Sequence, residues 1–161
     1  MQQFTYAGAP HIWNGDEVGM WGADDPDERK PVVWADLNYD DETTHAFGRA
    51  RHRDRVAPDT ALFRVYRDLI AVRKQHLRLF VDGTLTWLLT DDARGLLAYE
   101  RVLGEQRAIV AFNASDAPHE VSVAANGTYR VVFPAGDAVA VADGALRALL
   151  PPRAARVWIR E

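Results

Sequence analysis

The first residues that could do chemistry are the adjacent carboxylates Asp16 and Glu17, which follow the short apolar stretch 10–13. Two carboxyls that act as acid and base must face each other across the reacting bond, each on a rigid element. Neighbouring residues of an extended chain point to opposite faces, so this pair is poorly placed to act as general acid and base on one bond. We interpret the two residues as loop carboxylates that accept hydrogen bonds from backbone N–H groups or bind a basic side chain.

The densest polar cluster covers residues 24–31 and mixes acids with Arg29 and Lys30. Its oxygen ligands suggest calcium, but the spacing lacks the alternating acids and glycine of an EF-hand loop. Two interpretations stay open, a solvated charged loop and a loop that hydrogen-bonds sugar hydroxyls. Trp13, Trp21 and Trp34 lie in the same zone, where their rings either stack on sugars or simply pack.

Composition excludes several function classes. The 161 residues carry a formal net charge of −4 and no cysteine, which argues against a nucleic-acid partner and excludes disulfides and thiolate metal sites. The basic patch at 49–55 is therefore interpreted as a solvated loop, and the five histidines lack ligand spacing. No apolar run is long enough to span a membrane, and the N-terminus does not resemble a signal peptide.

These residues must be positioned by three zones of different character. Residues 1–57 are rich in Gly, Pro, Asp and Trp and are typical of one short strand followed by a long loop. Asp59 is the predicted N-cap of a helix whose apolar stripe includes Leu62 and Leu69, with Arg73 on the polar face. From Asp82 onward, short apolar runs alternate with turn residues, which predicts six to eight strands of an antiparallel sandwich. The runs are 84–89, 96–100, 108–112, 121–123, 129–133 and 157–159.

Two motifs carry a resemblance to a known family. Gly8, Pro10, Gly15 and Glu17 match the Gly-x-Pro, apolar strand and Gly-x-Glu pattern around the eighth barrel strand of the α-amylase family. The following stretch, Asp25-Pro26 to Arg29-Lys30-Pro31, resembles the Asp-Pro-x-x-Arg-x-Pro element of the cyclomaltodextrinase, neopullulanase and maltogenic amylase branch. The resemblance covers essentially the whole chain.

The resemblance implies an α+β fold in two parts. Residues 1–80 would be the C-terminal end of a (β/α)8 barrel, with the eighth strand, a long loop and the eighth helix. Residues 81–161 would be the antiparallel β-sandwich that follows the barrel. A barrel of this kind needs about 250 residues, so Met1 would fall inside a barrel helix and we expect a truncated reading frame.

The resemblance also implies a division of labour. The nucleophile Asp, the acid/base Glu and the third Asp of the family lie on earlier strands, and none of their motifs occurs here. We therefore expect no catalytic residue in this chain, no metal and no cofactor. Asp25 and Arg29 fall where the family's loop hydrogen-bonds glucose units, and Trp21 is the third predicted substrate-binding residue.

The expected function is the C-terminal portion of a retaining α-glucan hydrolase that acts on cyclodextrins, pullulan or maltooligosaccharides. Two alternatives stay open: a stand-alone glucan- or partner-binding β-module, and one half of a split enzyme. The expected partners are an α-glucan oligosaccharide and the missing N-terminal barrel portion, with no nucleic acid and no membrane, and a homo-oligomer stays open. We expect a cytoplasmic location, and a periplasmic one stays open for a longer protein.

Overall fold

The computed structural model describes residues 1–22, 25–26 and 29–161. The chain folds into two compact units. We call residues 1–10 with 69–161 the sandwich unit, and residues 11–68 the loop unit. The predicted boundary between residues 80 and 81 is a different division, and it stays a prediction.

The sandwich unit contains eight antiparallel strands, as the alternation of apolar runs and turns predicts. The strands are β3 Thr84–Asp91, β4 Leu96–Leu103, β5 Gln106–Asn113, β6 His119–Ala124, β7 Thr128–Phe133, β8 Ala135–Ala140, β9 Ala145–Leu150 and β10 Ala154–Arg160. Six of them form one sheet in the order β3-β4-β5-β10-β7-β8, and the other two form the ribbon β6-β9.

Both faces of the six-stranded sheet are covered, which explains the nearly continuous apolar runs of its central strands. In β5, Ile109 and Ala111 point into a core shared with β6 and β9, while Ala108 and Val110 point to the opposite core. The ribbon strand β6 alternates buried and exposed residues, because only one of its faces packs.

Helices supply the second core of the sandwich unit. The described part of the chain has three α-helices: α1 Gln2–Thr5, α2 Thr60–Gln75 and α3 Leu77–Asp82. Val72 of α2 and Leu79 and Phe80 of α3 pack with Tyr99 and Val157 of the sheet. Helix α2 was predicted from the sequence, whereas α3, which begins directly after its N-cap residue His76, was not.

The N-cap prediction for α2 is confirmed. The Asp59 carboxylate accepts hydrogen bonds from the N–H groups of Ala61 and Leu62, both at 2.9 Å. These bonds satisfy two of the N–H groups that a helix start leaves without partners. The prediction for Arg73 was wrong, because this residue is 6% exposed rather than on a solvated face.

Residues 1–57 differ from their prediction in two places. Residues 10–13, expected to form a strand, have no ladder partner in the described chain. A strand needs neighbours for its backbone N–H and C=O groups, and none of the described residues pairs with it. Conversely, a β-hairpin forms where only loop was expected, from β1 Glu42–Thr44 and β2 Ala50–Asp54.

Candidate functional site

The adjacent carboxylates lie on a tight turn. Gly15 has φ +101 and precedes the 3₁₀ turn Asp16–Val18. An added Cβ at Gly15 would lie 2.7 Å from Met20 Sδ, so the turn requires glycine for both its conformation and its space. Glu17 accepts a hydrogen bond from the N–H of Gly15 at 3.1 Å, which is the backbone-accepting role expected for a loop carboxylate.

A tyrosine hydroxyl lies within electrostatic range of these two acids. Burial raises the pKa of Tyr66, and the negative charges of Asp16 and Glu17 raise it further. A neutral phenol beside two carboxylates can donate a hydrogen bond, but it does not supply an opposing acid–base pair. The arrangement therefore favours a structural role for Asp16 and Glu17.

Asp25 and Arg29 face each other in the charged loop. The Arg29 guanidinium Nε lies 2.7 Å from Asp25 Oδ1, and the side chains are 74% and 65% exposed, respectively. Their neighbours Asp24, Asp27 and Glu28 lie outside the described residues. An exposed carboxylate–guanidinium pair offers both acceptors and donors to a hydroxylated ligand, so the predicted binding role of Asp25 and Arg29 stays a prediction.

Trp21, the third predicted binding residue, is covered by cations. The Arg51 guanidinium lies over the indole ring, 2.9 Å from its centroid, and Lys30 Nζ lies 4.8 Å from that centroid. The indole Nε1 is buried and has no hydrogen-bond partner among the described residues. Stacking of Trp21 on a sugar therefore requires the part of the ring that these cations leave open, and this role also stays a prediction.

Arg51 is the centre of an ion-pair network, which we call the Arg51 network. Its guanidinium contacts Glu42 at 2.9 Å and Asp54 at 2.7 Å, and Lys30 contacts Glu42 at 2.6 Å. The Arg51 side chain is only 3% exposed. The interpretation of the basic patch as solvated was therefore wrong for Arg51, because the unpredicted hairpin brings its acidic partners to it.

Two small cavities adjoin this network. One of about 30 Å³, large enough to hold a water molecule, is lined by residues that include Trp21, Lys30 and Glu42. The other, of about 140 Å³, is lined by residues that include Trp13, Asp16 and Trp21. Trp21 thus borders both cavities, a position from which its side chain could contact a ligand bound in the loop unit.

The described residues contain no group of three or more His, Asp or Glu side chains that could hold a metal ion. None of the described helices is long and apolar enough to cross a membrane.

The comparisons with known proteins point in one direction. The sequence model of the family "Maltogenic Amylase, C-terminal domain" matches residues 85–157. A cyclomaltodextrinase of Geobacillus thermopakistaniensis is 30% identical over 93% of this chain and 22% of its own length. Neopullulanase 2 of Thermoactinomyces vulgaris is 32% identical over 69% of this chain and 16% of its own length.

A solved cyclomaltodextrinase structure superposes with a TM-score of 0.77 at 25% identity, over 99% of this chain and 24% of that one. The chain belongs to the α-amylase family.

The family assignment and the structure agree on the last part of the chain. The matched residues 85–157 run from β3 to β10, so the antiparallel strands of the sandwich unit are a C-terminal domain of the α-amylase family. The chain spans about a fifth of the length of the curated α-amylase-family relatives that it matches.

Two buried arginines of this family member bind backbone carbonyls, a role that the sequence did not predict. Arg73 donates to the carbonyls of Phe4 at 2.8 Å and Gly8 at 2.7 Å. Arg101, 1% exposed, donates to the carbonyls of Thr5 at 3.0 Å and Gly83 at 2.8 Å. Burial lowers the pKa of both side chains. Sequence periodicity gives no signal for this role, because the acceptors are backbone groups distant in sequence.

Proposed function

We propose that this chain is the C-terminal portion of a retaining hydrolase of α-glucans, with cyclodextrins, pullulan or maltooligosaccharides as substrates. The observation that carries this proposal is the 30% identity with a cyclomaltodextrinase over 93% of the chain. The likeness to neopullulanase 2 supports the same substrate class. Retention of anomeric configuration would proceed through a covalent glycosyl–enzyme intermediate.

In this proposal the chain itself is not catalytic. Its adjacent acids Asp16 and Glu17 lie on one tight turn, and the Glu17 carboxylate accepts a hydrogen bond from the Gly15 N–H. A retaining mechanism needs two carboxyls about 5–5.5 Å apart on opposite sides of the glycosidic bond. The resemblance to the family implies that those groups belong to earlier barrel strands.

Residues 1–80 would be the last β/α unit of that barrel. The capped helix α2 would be the eighth barrel helix, and residues 10–13 would become the eighth strand once neighbouring strands pair with them. The partner that supplies those neighbours would be the N-terminal barrel portion. We propose a cytoplasmic location for the assembled enzyme.

The substrate contacts of this chain would come from Trp21, Asp25 and Arg29. The exposed Asp25–Arg29 pair can hydrogen-bond sugar hydroxyls from both sides of the pair. Trp21 borders the cavity that also includes Trp13 and Asp16. These groups would bind glucose units beside the bond being cut without taking part in bond cleavage.

The first test is hydrolysis of β-cyclodextrin and pullulan, measured as reducing ends. The purified 161-residue chain should release none, whereas the chain preceded by an α-amylase-family barrel portion should be active. Hydrolysis by the 161-residue chain alone would contradict its non-catalytic role. Inactivity of the joined protein towards every α-glucan would contradict the substrate class.

The second test uses the joined, active protein and the variant Arg29→Gln. We expect KM for β-cyclodextrin to rise about tenfold with a smaller change in kcat, because one charged hydrogen-bond donor to the substrate is lost. Arg67→Gln is the matched control, since Arg67 is exposed on α2 and pairs only with the neighbouring Asp68 in the described chain. An unchanged KM in Arg29→Gln would remove Arg29 from the binding site.

A further inference from the structure

A separate cleft lies entirely within the sandwich unit. Its volume is about 370 Å³, within the range of small-molecule sites, about 300–1,000 Å³. Its lining combines the apolar Leu88 with the polar side chains of Glu100, Arg107, Asn126 and Arg160. None of these residues belongs to the glucan contacts proposed above, so this cleft needs an explanation of its own.

Strand register brings two of the cations together. The ladder between β10 and β5 ends at the pair Ile159–Ala108, and Arg160 and Arg107 are the next residues of the two strands beyond that pair. Both arginines are two residues from inward-facing core residues, Trp158 and Ile109, and therefore point to the same inner face of the sheet. Like charges directly opposite each other on a sheet destabilise it unless an anion compensates.

Only part of this positive charge is compensated. Glu100 contacts Arg107 at 3.0 Å, whereas the Arg160 side chain makes no ion pair or hydrogen bond with the described residues. Arg160 is nevertheless positioned, because its Nε lies 3.3 Å from the point that a Cβ on Gly127 would occupy. Gly127 has φ +93, so this turn and the space for the guanidinium both favour glycine.

The pKa of the buried Tyr129 responds to the same three charged side chains, Glu100, Arg107 and Arg160. Burial raises the pKa of Tyr129, the positive charges of Arg107 and Arg160 act in the opposite direction, and Glu100 raises it. The three charged side chains are therefore all within interaction range of the Tyr129 hydroxyl. A half-buried site with one surplus guanidinium favours a ligand with one negative group.

We propose that this cleft binds a small hydroxylated anion of the sugar-phosphate class, with Arg160 and Arg107 on its anionic group. Arginine forks match the oxygens of phosphate and carboxylate groups. The cleft is larger than a bare phosphate requires, and the Asn126 amide and the Glu100 carboxylate supply acceptors and a donor for hydroxyls. Leu88 provides the apolar surface on which the carbon skeleton of the ligand would lie.

Calorimetric titration of the 161-residue chain at low ionic strength tests the proposal. The probes are glucose 6-phosphate, glucose and inorganic phosphate. Glucose 6-phosphate should bind with Kd at or below about 1 mM, and at least about tenfold tighter than either other probe. No heat with glucose 6-phosphate up to about 10 mM would overturn the proposal.

Two variants examine the two parts of the argument. Arg160→Gln should weaken glucose 6-phosphate binding at least about tenfold by removing the charged donor, whereas Arg147→Gln, an exposed arginine of β9, should bind normally. Ala124→Leu should weaken binding by filling the cleft without changing its charge. Thermal unfolding of each variant checks that it is folded.

The competing outcomes are distinct. Equal affinity for glucose and glucose 6-phosphate would overturn the role of the guanidinium groups. Equal affinity for inorganic phosphate and glucose 6-phosphate would overturn recognition of the hydroxylated part. Normal binding by Ala124→Leu and Arg160→Gln would place the ligand outside the cleft. None of these outcomes bears on glucan hydrolysis, so this proposal and the proposed function can fail separately.

Discussion

The two units of this chain are stabilised by different physical means. The sandwich unit buries two apolar clusters on opposite faces of its six-stranded sheet. In the described part of the loop unit, Val33 is the only buried apolar side chain, while the Arg51 network joins Lys30 and the two strands of the hairpin through ion pairs. Apolar burial is insensitive to ionic strength, whereas partly exposed ion pairs weaken as salt rises.

This difference in stabilisation bears on where function and family likeness lie. The predicted binding residues fall in the loop unit, and the match to the family model falls in the sandwich unit. A unit with two apolar cores can be ordered by its own contacts, and residues 85–157 are the part that the family model matches. Trp21, Asp25 and Arg29 belong to the unit held mainly by polar contacts. Such segments open at low free-energy cost, which is common for ligand-binding loops.

The largest expected effect comes from removal of the largest fully buried side chain in the described part of the sandwich unit. Trp158 is fully buried between the two sheets, and Trp158→Ala should reduce the free energy of unfolding by about 3–5 kcal/mol. Trp34→Ala is the matched control in the loop unit. Its ring is 60% exposed, so we expect a change within about 0.5 kcal/mol. Urea denaturation measures both values.

Equal losses in the two tryptophan variants would show that the loop unit buries Trp34 in solution. That result would contradict the contrast between an apolar sandwich unit and a polar loop unit. A loss in Trp158→Ala alone would confirm it.

The next effect is expected in the loop unit. Arg51→Gln removes the cation shared by Glu42 and Asp54 and the cover of the Trp21 ring. We expect a loss of about 2–3 kcal/mol in local stability, measured as faster amide exchange in residues 42–54. Arg53→Gln is the control, because its pair with Asp41 is largely exposed and should contribute below about 1 kcal/mol.

Salt separates the two mechanisms further. Amide exchange in residues 42–54 should accelerate between about 0.05 and 1 M NaCl, while exchange in β5 should not. Exchange in Arg51→Gln that matches the unsubstituted chain at every salt concentration would show that the network does not stabilise the hairpin.

The contrast also marks how much could be predicted from sequence. Local signals succeeded: the Asp59 N-cap places the start of α2, and the alternation of apolar runs with turns predicts the antiparallel strands. Both depend on residues close together in the chain.

What failed depends on contacts between distant residues. The hairpin β1–β2 lacks an alternating apolar pattern, because most residues of its two strands are polar or charged. Arg51 and Arg73 resemble surface arginines in sequence, and only the fold supplies their acceptors Glu42 and the Phe4 carbonyl. The strand predicted at 10–13 needs neighbours on a sheet, so its local sequence does not determine it.

The smallest effect concerns a buried hydroxyl of the sandwich unit. Burial raises the pKa of Tyr99 from 10.0 to about 12, while its hydrogen bond with Thr5, at 2.6 Å, acts to lower it. Because the folded pKa lies above the unfolded one, the neutral tyrosine stabilises the fold fully below pH 10, and this contribution is lost between pH 10 and about 12. At about pH 11 the loss should be about 1.4 kcal/mol.

The variant Tyr99→Phe should not show this pH-dependent loss of stability, because phenylalanine has no hydroxyl proton to release. The variant Thr5→Val lacks the hydrogen bond to Tyr99 but should still show the loss. The measurement is the difference in unfolding free energy between about pH 8 and about pH 11 for the three proteins. A Tyr99→Phe variant that loses as much stability as the unsubstituted chain over this range would assign the alkaline loss to other groups. The expected outcome would instead make alkaline pH a probe of the stability of the sandwich unit. Salt concentration is the corresponding probe for the loop unit.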